Sequence, residues 1–341
     1  MKKIKLLDCT LRDGGYINNW EFGMPAITEI STCMTGGGAD IFEIGFLKNE
    51  PYQKERTVFN RVSQIEDIIG DKRPNVSYAA MIEVENPIPL ELLEENTGKS
   101  IDIVRVIVWK RLLQEGFAYC KGIVDKGYRL CVQPARVDQY TDEEFENMCN
   151  LFNSIDPMAV YVVDSWGTLG TEKIMHYVKL ADRNLKKTIA IGYHGHNNMM
   201  QAYGTAVEFT KWETERELIV DASIYGIGRG AGNLNLELIA QYLNETNMKS
   251  YSVDKMIYIY EKYLKSIYQK HSWGYSIPFL LTAMYGCNPN FADYYSRQLK
   301  IPESKICNIL KHFSKEDKII FSKEKADYYI EIEENSRMAG V

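Results

Sequence analysis

The chain has no C-x-x-C pair, no apolar run long enough to span a membrane and no basic cluster. Its seven cysteines, Cys9, Cys33, Cys120, Cys131, Cys149, Cys287 and Cys307, are scattered and odd in number. That pattern speaks against a zinc–thiolate site and a disulfide framework, and it predicts reduced, buried thiols in a cytoplasmic protein. A formal net charge of −6 without a basic stripe argues against nucleic acid as a partner. The opening MKKIKLLDCT reaches Asp8 after two leucines, too short an apolar core for a signal peptide. No stretch approaches the roughly 20 residues of a membrane helix, so no membrane association is expected. Internal repeats and low-complexity segments are also missing. So is a G-x-G-x-x-G turn after the first strand, which sets aside the doubly wound dinucleotide-binding sheet.

What the 341 residues do contain is an alternation. IKLLDCTL, ADIFEIGF, VSYAAMIE, DIVRVIVW, RLCVQPA, AVYVVDSW, TIAIGYHGHN and LIVDASIYGIG read as near-continuous apolar strands. Each is followed by a helical stretch. One of these is a short helix after Pro89; another opens at Thr141 with acids in its first turn, the chemistry of a helix start. Eight units at the spacing of βαβ connections predict a parallel sheet closed into a (β/α)8 barrel over residues 1–250, near the ~250 residues such barrels take. From Tyr251 the pattern changes. Residues 251–341 are predicted to form a helical appendage: one long tyrosine-rich helix over 253–270, helices over 276–285, 289–299 and 302–313, and a small hairpin from 318–321 and 327–332. Its aromatic surface suits either plain core or contact with a second subunit.

Barrels of this kind place their chemistry at the carboxyl ends of the strands. The first strand, read as running through Leu11, ends in Arg12 and Asp13, with Gly14 and Gly15 turning the chain sharply. Glu43 is a lone carboxylate in an apolar strand and needs a partner, for which Arg12 is the natural choice. His194 and His196 stand two apart on one strand and so face the same way. Together with Asp13 they make a two-imidazole, one-carboxylate set suited to Mn2+, Mg2+ or Fe2+, with zinc as the remaining option. Further polar strand ends are Gln133 and the Asp164–Ser165 pair. The glycine-rich loop GIGRGAGN, residues 226–233, follows the last strand. It is either a tight turn with close backbone packing or a loop that sets its N–H groups and Asn233 near the metal or an anionic substrate, with Arg229 in reach of a phosphate or carboxylate.

The motifs L-R-D-G (11–14), E-I-G (43–45), V-D-S (163–165), H-G-H-N (194–197) and G-x-G-x-G-A-G-N (226–233), in this order, resemble the DRE-TIM metallolyase superfamily. That superfamily includes 4-hydroxy-2-oxovalerate aldolases, isopropylmalate synthases and hydroxymethylglutaryl-CoA lyases, and the wording is most similar to the aldolase branch. The resemblance implies a metal-dependent aldolase working through the enolate of pyruvate or another 2-oxo acid. Asp13, His194 and His196, with Asn233, would ligate a divalent metal, Mn2+ or Mg2+ ahead of Zn2+. Arg12, held by Glu43, would stabilise the enolate oxygen. Ser165, His194 and Tyr275 would contact substrate. An aldehyde would be the second reactant, an aldehyde dehydrogenase a partner, and the protein a homo-oligomer. The aldolases carry a histidine base shortly after R-D-G, where this chain has Tyr16. A phenol titrating near about 10 is a poor base at neutral pH. Either Tyr16 acts as the catalytic group with help from the metal, or another group takes the proton, or the reaction differs. Two alternatives stand beside the aldolase: a Claisen-type acyl-CoA lyase or synthase on the same barrel, and, invited by the missing histidine, a barrel without turnover that acts as a subunit or binding module.

Overall fold

The computed structural model describes residues 3–338. Eight parallel strands close on themselves: β1 (Ile4–Asp8), β2 (Ile41–Leu47), β3 (Ser77–Glu83), β4 (Ile103–Trp109), β5 (Arg129–Ala135), β6 (Ala159–Asp164), β7 (Ala190–Gly195) and β8 (Leu218–Ala222). The closure is direct, because β1 pairs with β2 (Leu7 opposite Ile41) and with β8 (Ile4 opposite Leu218). The fold is therefore a (β/α)8 barrel with C-terminal helices, as the strand–helix alternation predicted.

Side chains alternate across each strand, so every strand feeds two cores. Outward residues such as Phe42, Val104, Val160 and Val220 pack under the surrounding helices. Inward residues Leu7, Ile41, Ala79, Ile103, Ala159 and Ile219 fill the lower barrel. Two positions further along the same inward faces, β2, β4 and β8 carry Glu43, Arg105 and Asp221, all essentially inaccessible. The barrel interior thus changes from apolar to ionic just below its mouth.

Four expectations need correction. First, β1 stops at Asp8, and residues Thr10–Asp13 form a helical turn. The Asp8 carboxylate accepts from the Thr10 backbone N–H and hydroxyl, a local bond that competes with strand pairing. Gly14 is right-handed rather than sharply turned. It must be glycine because a Cβ would lie 2.2 Å from the Thr10 carbonyl oxygen. Second, the segment after β3 has no helix. Pro87 and Pro89 remove donors and bias the preceding residues to extended backbone. Ile88 and Leu93 cover the barrel in the helix's place. Third, the expected hairpin near the C-terminus is instead part of a helix, Lys323–Met338, preceded by turns. Its Lys, Glu and Ala residues are strong helix formers. Ala326, Tyr329 and Glu333 are its buried residues, at spacings of three and four that put them on one face. Fourth, the long helix over 253–270 is interrupted by a π-helical turn at Tyr260–Leu264.

The helix predicted from Thr141 is capped as its sequence indicated, with reciprocal bonds between Thr141 and Glu144. Met256, Ile259, Leu264 and Trp273 join the barrel's own core. A second core begins at Leu281 and includes Phe291, Tyr295, Leu310 and Tyr329. Among the described residues, no helix is long and apolar enough to cross a membrane. All seven cysteines are free.

Candidate metal centre

The turn after β1 meets the end of β7 at the barrel mouth. Ligand-type atoms of Asp13, His194 and His196 lie within 4.8 Å of one another, and all three residues are buried. His194 Nε2 is 3.7 Å from Asp13 Oδ2. Each imidazole is fixed through its other nitrogen. His194 Nδ1 lies 3.0 Å from Asp221 Oδ2, and His196 Nδ1 lies 3.1 Å from the Arg229 carbonyl oxygen. With Nδ1–H donated to these acceptors, both rings offer a free Nε2 toward Asp13, the arrangement by which outer partners set the tautomer of a ligating histidine.

The protonation states suit a cation. Burial lowers the His196 pKa to about 4, with Asp13 opposing, so the ring is neutral at neutral pH. Burial alone would raise the Asp13 carboxyl. Arg12 beside it, the two imidazoles and the Arg229 N–H outweigh that and hold it well below the usual carboxylate range. Asn233 stands next to His196 through an antiparallel bridge. Its Nδ2 donates to the Ile227 carbonyl (3.0 Å), while its buried Oδ1 has no hydrogen-bond partner. Two imidazoles with a free nitrogen and an ionised carboxylate, on residues next to a buried amide oxygen that lacks a partner, make a donor set that fits a divalent ion. The loop reaches this close because residue 228 is glycine: a Cβ there would stand 2.6 Å from Asp13 Oδ1.

Below the cluster runs a closed ring of charge. Arg12 bonds Asp13 through one nitrogen and Glu43 Oε2 through Nε at 2.8 Å. Arg105 bridges the same Glu43 oxygen, at 2.7 Å, and Asp221. Asp221 then holds His194, which faces Asp13. Three carboxylates and two guanidiniums leave the ring one negative charge in excess, which a cation at its upper edge would balance.

Residues 112–259 match the HMGL-like family model. The match covers less than half of the chain. The chain is 24% identical over 251 residues to 4-hydroxy-2-oxovalerate aldolase 6 of Rhodococcus jostii, covering 72% of this chain and 69% of that one. It is 22% identical over 260 residues to oxaloacetate decarboxylase of Mycobacterium tuberculosis, covering 74% and 73%. The carboxyl transferase domain of Rhizobium etli pyruvate carboxylase shares the fold, with a TM-score of 0.72 at 13% identity; the match spans 98% of this chain and 61% of that structure.

A cleft above the ring collects most of the residues singled out in the sequence. Arg12, Asp13, Tyr16, Ser165, His194 and His196 all line it. The Ser165 hydroxyl accepts from the Arg136 N–H at 3.0 Å. Glu43 lies beneath the cleft as the partner of Arg12, the pairing its sequence position suggested. Tyr275 does not line the cleft and is 49% exposed. The Tyr16 ring packs edge-on against Trp20, with centroids 4.8 Å apart. Its side chain is partly open to solvent, and desolvation against its neighbours pushes the hydroxyl up to about 12, with Arg229 opposing, so the phenol stays protonated at neutral pH.

Sequence reasoning missed Arg105, Asp221, Glu83 and Trp109. The first two were open to the logic applied to Glu43, since each is a charged residue in the middle of an otherwise apolar strand. Glu83 and Trp109 end β3 and β4, line the cleft, and bond to each other, Trp109 Nε1 to Glu83 Oε1 at 2.9 Å.

Proposed function

We propose that this protein is a metal-dependent lyase that cleaves or forms 4-hydroxy-2-oxo acids through the enolate of pyruvate. The observation that carries the reading is the convergence of Asp13 and two tautomer-fixed histidines beside a buried, carboxylate-anchored arginine. Asp13, His194 and His196, with the Asn233 amide oxygen, would hold the ion. Mn2+ or Mg2+ suits a mixed set of oxygen and imidazole donors, with Zn2+ as the alternative. When bound, the ion would supply Lewis-acid chemistry, making the methyl group next to a carbonyl more acidic.

The chain's own residues do the rest. Arg12 is held rigid by Glu43 and Asp13, so its charge meets the 2-oxo oxygen without reorganisation as negative charge grows there. Ser165 stands in the cleft to contact the carboxylate. Among the described residues two carboxylates line the cleft: Asp13 is bound by Arg12, whereas Glu83 accepts only from Trp109. Glu83 is therefore assigned the methyl proton in place of the histidine base of the aldolases. Tyr16, protonated, donates to the aldehyde oxygen. In the forming direction the methyl carbon loses a proton to Glu83, that carbon bonds the aldehyde carbon, and the aldehyde oxygen gains the Tyr16 proton; Glu83 then gives its proton to solvent and Tyr16 takes one back. Cleavage is the reverse, and nothing else is consumed.

Pyruvate incubated with the Mn2+-loaded protein in D2O should lose its methyl proton signal, and a 4-hydroxy-2-oxo acid should release pyruvate. No exchange and no release across a panel of such acids would exclude the reading. Decarboxylation of oxaloacetate, the reaction named for the M. tuberculosis relative, passes through the same enolate, so the exchange assay covers it too. Glu83→Gln should slow exchange by about 10²–10⁴-fold, the usual contribution of a positioned base. A change under three-fold would remove Glu83 from this role.

A further inference from the structure

Resting on the lyase reading above, we infer that the second reactant is an anionic aldehyde, one bearing a carboxylate or phosphate away from its reacting carbon, and that Arg229 selects it. Beyond the cleft lies a second cavity of about 330 Å³ between the barrel mouth and the C-terminal helices. Tyr16 and Arg229 line both spaces, so an acceptor seated in the outer cavity reaches the inner one past these two side chains. The inner cleft is narrow, about 60 Å³, and leaves the bulk of a larger acceptor outside.

The outer cavity carries a surplus of positive charge. Its single carboxylate, Asp293, is already paired with Arg297 at 3.0 Å. Among the described residues, the Arg229 guanidinium has no carboxylate partner. Its one hydrogen bond is from Nη2 to Asn288 Oδ1 at 3.0 Å, and its Cζ stands 5.7 Å from the Tyr16 ring centroid. A half-buried arginine without a counter-charge, facing a cavity, is a ready-made anion contact. The Arg229 backbone is meanwhile tied to the metal centre: its N–H donates to Asp13 Oδ1 (3.1 Å) and its carbonyl accepts from His196. The same residue thus fixes the ligand set through its peptide and reads the acceptor through its side chain. Phe279, Ile17 and Pro289 give the cavity an apolar wall for the carbon chain between the two ends.

The test pairs charged and neutral acceptors with pyruvate: succinic semialdehyde against butyraldehyde, and glycolaldehyde phosphate against glycolaldehyde. The expected result is a preference in kcat/KM of about ten-fold or more for the anionic member of one pair, the scale of one charged hydrogen bond, with the preferred pair distinguishing carboxylate from phosphate. Raising the salt concentration should shrink that preference in the wild-type protein. Arg229→Gln should bring the ratio to within about two-fold, and Arg229→Lys should retain part of it. Equal or better use of the neutral acceptors, no turnover of any anionic one, or a preference that survives Arg229→Gln would overturn the inference. The two readings separate cleanly. Methyl exchange in D2O without an anionic preference leaves the lyase standing and removes the selector, whereas absence of exchange removes both.

Discussion

Arg105→Met should destabilise the protein by about 3–5 kcal/mol, the cost of removing one partner from a buried ionic assembly. Arg105, Glu43 and Asp221 are all fully inaccessible. Taking away the guanidinium leaves two carboxylates in the barrel interior, and only Arg12 remains to answer Glu43. Urea unfolding followed by circular dichroism should show a lower midpoint with an unchanged slope. Neutralising the acids as well, with Arg105→Met, Glu43→Gln and Asp221→Asn together, should recover a large part of the loss, because the penalty is an unpaired charge rather than a missing contact. A single variant within 1 kcal/mol of wild type would show that the ring does not hold the barrel mouth together.

The second large effect concerns the ion. Chelation followed by dialysis should abolish methyl exchange, and Mn2+ should restore it. Asp221→Asn should weaken metal affinity about 10–100-fold while leaving the three ligand residues in place, because it removes the carboxylate that orients His194. His194→Ala should prevent restoration at any practical Mn2+ concentration. If the chelated protein exchanged as fast as the loaded one, the cluster of Asp13, His194 and His196 would have no part in the chemistry.

Much of this was legible in the order of residues. Eight apolar strands spaced by helices define the barrel, and its topology places strand ends at the mouth, so Asp13, His194 and His196 could be grouped from residues about 180 apart. What stayed hidden has physical causes. Asp8 looks like a strand residue, and only its bonds to Thr10 show why the strand stops there and a helical turn carries Arg12 into the cleft. The alternating YYIEI near the C-terminus mimics a strand, while its neighbours' helix propensity decides the outcome. Arg105 and Asp221 lie in strands that are otherwise wholly apolar. Their pairing spans 116 residues of sequence and depends on barrel register, which no local pattern encodes. Glu83 ends its strand beside a polar loop, where a carboxylate draws no notice until the cleft gathers round it.

The central claim is that one divalent ion sits between Asp13, His194 and His196. Titrating the chelated protein with Mn2+, and counting the free ion by electron paramagnetic resonance, tests it most directly. The account predicts one tight site per chain that vanishes in His196→Ala and in Asp13→Ala, each variant remaining folded by circular dichroism. A wild-type protein that takes up no Mn2+, or variants that bind it as tightly as wild type, would contradict it.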